Sequence, residues 1–272
     1  MNLAFILLTA LASAAHAQAP AAKPAVDPTV AANTQKARQA LERTIQALGG
    51  RAYLDYFDVR QEGRTNRYYR GSPAGVGAPF RRYWKAPDKE RIEFFKRGDW
   101  KIIHNGDQGF DITYHGTRRE DASDLADYMR RRDHSLDNAL RRWLQEPGVM
   151  LFHEGLSLAE RKQVEKVSLL NAHNQSVTLY LDTSTHLPVK TTYSFRDPKT
   201  RETIEEGEIF DNYRMVQGIQ TAHNLLRTRN GEIVNQRFLK SVSYNNGMAD
   251  SMFTAVVNYV PKTGSTEQRP PH

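Results

Sequence analysis

The sequence predicts a mainly β (α+β) fold, in which one strongly curved antiparallel sheet of about 11 strands carries helices on its concave face. Three observations lead there. From Phe57 onward, apolar and polar residues alternate with period two through most of the chain, the mark of half-buried strands. Turn chemistry separates these runs at spacings too short for anything but antiparallel neighbours. Two stretches alone, near 27–48 and 121–146, carry apolar residues at three- and four-residue spacing, as helices do.

The elements follow in order. Residues 3–11 are apolar apart from Thr9, and Ala15-His16-Ala17 offers the small-x-small pattern read by signal peptidase. Residues 1–17 are therefore expected to be a signal peptide cleaved before Gln18, with an N-terminal membrane anchor as the other reading of the same run. Residues 18–26 are Ala- and Pro-rich and read as a linker. Asp27 and Pro28 supply an N-cap and a proline at the first helical position. Ala37, Leu41, Ile45 and Leu48 share one face of this helix, and Gly49-Gly50 stops it. That face needs a sheet to lie on.

Strands are expected at Phe80, Arg82 and Trp84, at Trp100, Ile102 and His104, and at Phe110, Ile112 and Tyr114. Ala86-Pro87-Asp88, Arg97-Gly98-Asp99, Asn105-Gly106-Asp107 and His115-Gly116 provide the turns. The alternation then breaks: Leu125, Tyr128, Met129, Leu136, Leu140 and Trp143 form a helical stripe ended by Pro147-Gly148. One continuous helix would put the Arg132 charge inside that stripe, so the better reading is two short helices, with Asp133 or Ser135 as the new N-cap. Strands resume after Val149, at Val177, Leu179 and Leu181, then at Val189, Thr191, Tyr193 and Phe195. In a last run Val234, Phe238, Val242 and Tyr244 are expected to share a face. No repeat or long linker divides 27–261, so one domain is expected there, and the polar, Pro-bearing stretch 262–272 reads as a disordered tail.

Composition narrows the chemistry. The 272 residues are 39% hydrophobic and 25% charged, with no cysteine, which excludes a disulfide scaffold, a Cys-based zinc site and a thiol nucleophile. The leader holds 13 of these hydrophobic residues, and what remains is too little to fill a many-stranded barrel solidly. The net charge of +7 favours anionic surfaces, and for an exported chain lipid headgroups are a more available partner than nucleic acid. None of the nine histidines falls in an H-E-x-x-H, because His153-Glu154 lacks its second histidine. His104 and His115 read as sheet histidines. Residues 155–159 imitate a nucleophile elbow without its final glycine and read as a turn. No phosphate-binding glycine motif occurs. No catalytic residue, metal or other cofactor is expected.

Several segments together resemble one family. ALGG at 47–50 ends the leading helix, and FRRYWKAPDKERIEF at 80–94 precedes NGDQGFDI at 105–112. LYLDTSTHLPVKTTYSFRDPKT at 179–200 precedes EIFDNYRMVQGIQ at 208–220. Their order and spacing, across most of 35–255, are similar to the outer-membrane lipoprotein-sorting (LolA/LolB-like) superfamily, particularly its exported members. Phe110 stands where that family commonly has tryptophan, and its proline near Thr221-Ala222 is absent. The resemblance implies an incomplete barrel closed by helices, around an apolar cavity that accepts acyl chains of lipoproteins or other amphiphiles in the periplasm. It implies a monomeric, non-enzymatic carrier; the alternative is an envelope sensor or scaffold that binds a protein partner with the same fold.

Candidate cavity-wall residues are Trp84, Phe94, Trp100, Ile102, Phe110, Ile112, Leu179, Leu181, Tyr193 and Phe195. Arg130, Arg131, Arg141 and Arg142 read either as a solvated helix face or as a docking patch for lipid phosphate or an acidic envelope partner. The glycine-rich stretch 71–77 reads as a lid beside the cavity mouth or as a plain surface loop.

Overall fold

A computed structural model describes residues 27–94 and 100–259. The expected leader (1–17), linker (18–26), Arg97-Gly98-Asp99 turn and tail (262–272) lie outside the described residues.

Helix α1 (Pro28–Leu48) begins where its capping residues dictate, with the Asp27 carboxylate accepting from the Thr29 N–H at 2.7 Å and Pro28 in the first turn. Gly49 and Gly50 end it by donating to the carbonyls of Gln46 and Ile45. Gly49 has φ +130°, and a Cβ there would stand 2.3 Å from the Gly218 carbonyl oxygen, so the helix end abuts a strand turn that only glycine admits. A short helix, α2 (Arg51–Asp55), follows at once.

The rest is one 14-stranded antiparallel sheet interrupted by two helices. Five strands and a two-residue edge piece come first: β1 (Asp58–Tyr69), β2 (Ser72–Pro73), β3 (Ala78–Lys85), β4 (Lys89–Phe94), β5 (Trp100–Asn105) and β6 (Gln108–Thr113), ahead of β7 (Gly116–Arg119). Helices α3 (Ala122–Asp133) and α4 (Leu136–Arg141) then lead to β8 (Met150–Ala159) and β9 (Lys162–Leu170). Next come β10 (Ser176–Asp182), β11 (Pro188–Arg196), β12 (Thr203–Val216), β13 (Ile219–Arg229) and β14 (Glu232–Tyr244). In space the order is β7-β6-β5-β4-β3-β1-β14-β13-β12-β11-β10-β9-β8, with β2 paired to β1. The first long strand thus pairs with the last, and β7 and β8 end the sheet without pairing with each other, so the barrel is incomplete.

The strand count exceeds the expected 11 because β8 and β9 form a full hairpin and β2 and β7 are short pieces with little periodicity to read. Residues 155–159 belong to β8 and are not a turn: Gly155, at φ +92°, marks a bulge where the register with β9 shifts. Because β8 is an edge strand, its Leu156 and Leu158 are exposed, and that loss of a buried partner disguised the strand. Phe238 also departs from expectation. Lys240 is an extra residue in the β1–β14 ladder, so Phe238 turns to the exposed face while Val242 and Tyr244 pack inward. The helical break falls as expected, with the Ser135 hydroxyl capping α4 at the Asn138 N–H, 3.3 Å.

Two cores result. The main one joins Ala37, Leu41, Ile45 and Leu48 of α1 with Leu140 of α4, Trp143, and the inner residues of β8 to β10. A smaller one lies on the outer face of β5 and β6, where Ile103 and Phe110 meet Met248 and Phe253 of the segment after β14. Asp58 holds that segment in place by accepting the Asn246 and Met248 N–H groups at 2.6 and 3.0 Å.

Leu41 makes no contact with solvent, so Leu41→Ala is expected to lower unfolding free energy by about 2–5 kcal/mol. Leu158→Ala, on the exposed face of β8, is expected to stay within about 0.5 kcal/mol of wild type. Urea midpoints at unchanged slope would check both.

Candidate functional site

The curved sheet encloses a cavity of about 1220 Å³, bordered by β1, β3 to β5, β11 to β14, α3 and α4. Strands β5 and β12 both reach it although six strand positions separate them, about 29 Å across a flat sheet. Only strong curvature brings them together.

One wall is aromatic and aliphatic. Pairing across β3, β4 and β5 sets Phe80, Phe94 and Trp100 in one row and Arg82, Ile92 and Ile102 in the next. Phe94 and Trp100 stack with ring centroids 4.4 Å apart. Phe210, Leu225 and Val234 add apolar surface from β12 to β14. At the inner end, the hydroxyls of Tyr53 and Tyr56 both donate to Asp137, at 2.9 and 2.8 Å. The Arg141 guanidinium lies 3.9 Å over the Tyr56 ring and donates to the Tyr56 carbonyl. Trp84 meets Tyr56 edge-on. This layer seals the bottom of the cavity.

A charged chain crosses the apolar wall. Arg82 donates to Glu90, whose other oxygen lies 3.7 Å from His104 Nδ1, and His104 Nε2 is 2.8 Å from Glu120. Burial opposes every one of these charges. For His104 the two carboxylates outweigh it and raise the imidazole above its ordinary value, while Arg82 and His104 hold Glu90 well below the usual carboxylate range. Tyr128 of α3 stacks on the His104 ring at 3.4 Å and 8°. On the opposite wall His134 stacks on Tyr193 at 4.2 Å, and Tyr193 donates to Glu206 at 2.7 Å. Burial keeps His134 below its ordinary value, the opposite direction from His104.

The structure divides the residues singled out from sequence. Trp84, Phe94, Trp100, Ile102 and Tyr193 border the cavity. Phe110 and Ile112 sit on the opposite face, because the two-residue turn pairing Asn105 with Gln108 aligns Phe110 with Ile103. Leu179 and Leu181 are packed solid in the main core. Phe195 lies under the Arg130 guanidinium, 3.7 Å from its ring centroid. Arg130 also pairs with Asp127, Arg142 pairs with Glu146 at 3.2 Å, Arg141 is held against Tyr56, and Arg131 faces the cavity. Ala74 to Gly77 border the cavity as well. Sequence reasoning passed over Glu90, Glu206, Glu208 and Arg227. The signal for Glu90 was present, since it shares parity with Ile92, and His104, read only as a sheet histidine, shares parity with Ile102.

No family model and no curated protein sequence matches the chain. Solved structures do. A DUF1329 family protein from Desulfovibrio piger superposes with TM-score 0.56 at 14% identity, over 80% of this chain and 97% of that one. A putative outer membrane lipoprotein-sorting protein domain from Vibrio parahaemolyticus superposes with TM-score 0.51 at 12% identity, over the same shares. The fold is the one these two structures share. Within it the two ends of the sheet and the spanning helices are the observed form of the incomplete barrel.

His104, raised above its ordinary 6.5, contributes stability that is complete below that value and is lost as pH climbs through the raised one. The urea midpoint of wild type is therefore expected to fall as pH rises above about 6.5, and His104→Gln to remove most of that slope. An unchanged slope in the variant would show that the triad is not its origin.

Proposed function

We propose that the chain is a periplasmic carrier, exported by its leader, that holds the acyl portion of a lipoprotein or another amphiphile in this cavity. The supporting observation is the cavity itself: about 1220 Å³ left unfilled by the chain's own side chains, with Trp84, Ile92, Phe94, Trp100 and Ile102 along one wall. Apolar empty space is stable only where the fold holds it open, and an apolar occupant gains what the missing side chains would have gained. A chain of a dozen carbons buries roughly 10 kcal/mol of methylene surface, at about 0.8 kcal/mol each. Association costs of about 4 kcal/mol leave about 6 kcal/mol, binding on the order of tens of micromolar that is readily released. Such reversibility suits a carrier that must give its cargo up. The fold shared with a protein described as lipoprotein-sorting supports the same reading. Arg82, Glu90, His104 and Glu120 hold one another, and the proposal gives none of them a catalytic role.

The alternative, an envelope sensor or scaffold that binds a protein partner, draws on one observation: the edge strand β8 exposes Met150, Phe152, Leu156 and Leu158. A pull-down that survives removal of lipid would favour it.

Delipidated protein is expected to bind a fluorescent dodecanoyl probe and release it to unlabelled fatty acid. Ile102→Asp, placing a carboxylate on the wall, should weaken the probe about tenfold or more. Ile112→Ala, on the outer face, should leave it unchanged. A purified protein that carries no extractable lipid and takes up no probe would refute the carrier.

A further inference from the structure

The cavity is not uniformly greasy, and its charges are unevenly matched. Its carboxylates are engaged: Glu90 and Glu120 hold Arg82 and His104, and Asp137 takes two tyrosine hydroxyls. Across the cavity Glu206 accepts from Tyr193 and lies 3.9 Å from Arg229, while Glu208 accepts from Arg237. Asp127 pairs with Arg130, and Asp124 has a partner too. Three guanidiniums on the cavity lining differ. Arg67, Arg131 and Arg227 have no hydrogen-bond or ion-pair partner among the described residues.

These three lie together. Arg67 of β1 and Arg227 of β13 both pair with Asn235 of the intervening β14, which puts their backbones two strand spacings apart, about 10 Å. Arginine side chains from both can reach one group between them. Arg131 faces them from α3, near enough that its charge acts on Arg227. Burial first, and Arg131 second, pull the Arg227 guanidinium down to about 10 against the opposing charges of Glu206 and Glu208, and burial lowers Arg67 as well. Like charges gathered on one part of a cavity lining, with no carboxylate at hydrogen-bond or ion-pair distance, cost stability. A fold keeps such a cluster where a ligand supplies the missing charge.

The cluster also stands at a definite height. Gly63 of β1 is level with Phe80, and through it with Phe94 and Trp100. Arg67 is four residues farther along the strand, about 13 Å out. Guanidiniums therefore ring the outer part of the cavity and the aromatic wall lies below them, the order that an anionic head and an apolar tail require.

We propose that Arg67, Arg131 and Arg227 form an oxyanion site for the head of the bound amphiphile, with phosphate preferred over carboxylate because guanidinium forks match its oxygens. The site deepens the carrier reading and rests on it for the tail.

Calorimetry on the delipidated full chain, with decyl phosphate, decanol and inorganic phosphate as probes, tests the site. Decyl phosphate is expected to bind about tenfold more tightly than decanol, since charge-assisted hydrogen bonds add roughly 1.5–3 kcal/mol, and the advantage should shrink with added salt. The Arg131→Gln/Arg227→Gln double variant should bind both decyl probes alike, with decanol as in wild type, and should melt no lower than wild type. Should that variant not fold, the wild-type preference and its salt dependence decide alone. Equal binding of both decyl probes by wild type overturns the oxyanion site and leaves the carrier standing. Tight inorganic phosphate with no decanol binding keeps the site and overturns the carrier. No binding of any probe overturns both.

Discussion

An antiparallel meander that curls around a hollow without joining its two edges needs some other element to hold the curl. In this chain β7 and β8 are those edges, and the helices between them in sequence span the gap. Helix α3 grips both walls: Tyr128 stacks on His104 of β5, His134 on Tyr193 of β11, and Arg130 lies over Phe195. Helix α4 adds Leu140 to the main core and brings Asp137 to the tyrosines at the cavity floor. Aromatic stacking and cation–π contacts are each modest. Acting together from the C-terminal half of one helix and its cap, they tie the two walls to each other, and the cavity volume depends on that distance.

The same device explains why buried charge sits in an apolar wall. A stacking partner for Tyr128 must be planar and fixed in orientation, and His104 is held by Glu120 at Nε2, with Glu90 3.7 Å from its Nδ1. Burying such a triad costs desolvation, which the paired geometry returns only in part. Its use here is directional: it aims one ring at one helix. On the other wall His134, which burial holds below its ordinary value, does the corresponding job by stacking on Tyr193.

Much of the fold was legible in the residues. Asp27-Pro28 and Gly49-Gly50 framed α1, the cost of burying Arg132 located the break before Ser135, and period-two runs marked most strands. What stayed illegible were strands that lack a buried partner. Leu156 and Leu158 point to solvent from an edge, so their pattern carries no burial signal, and Gly155 looks like a turn when it is a bulge. Of the cavity wall, Trp84, Phe94, Trp100 and Ile102 were found because they alternate within short hairpins. Phe110 and Ile112 were placed on the wrong side of the sheet for one reason: a two-residue turn sets which parity meets which, and parity cannot be carried across a turn by inspection.

The sequence by itself determined the local physics: where helices start and stop, which segments are strands, and that apolar residues are too few to fill a large barrel. Those properties depend on neighbours a few positions apart. The tertiary structure alone decided which face of each strand looks inward, that β1 pairs with β14, and that Arg67, Arg131 and Arg227 share one part of the cavity without carboxylate partners. Ladder register and bulges such as Lys240 accumulate along the sheet, and each shift by one residue exchanges inside for outside. The lining of the hollow is therefore a property of the whole sheet, set only when every strand has found its neighbour.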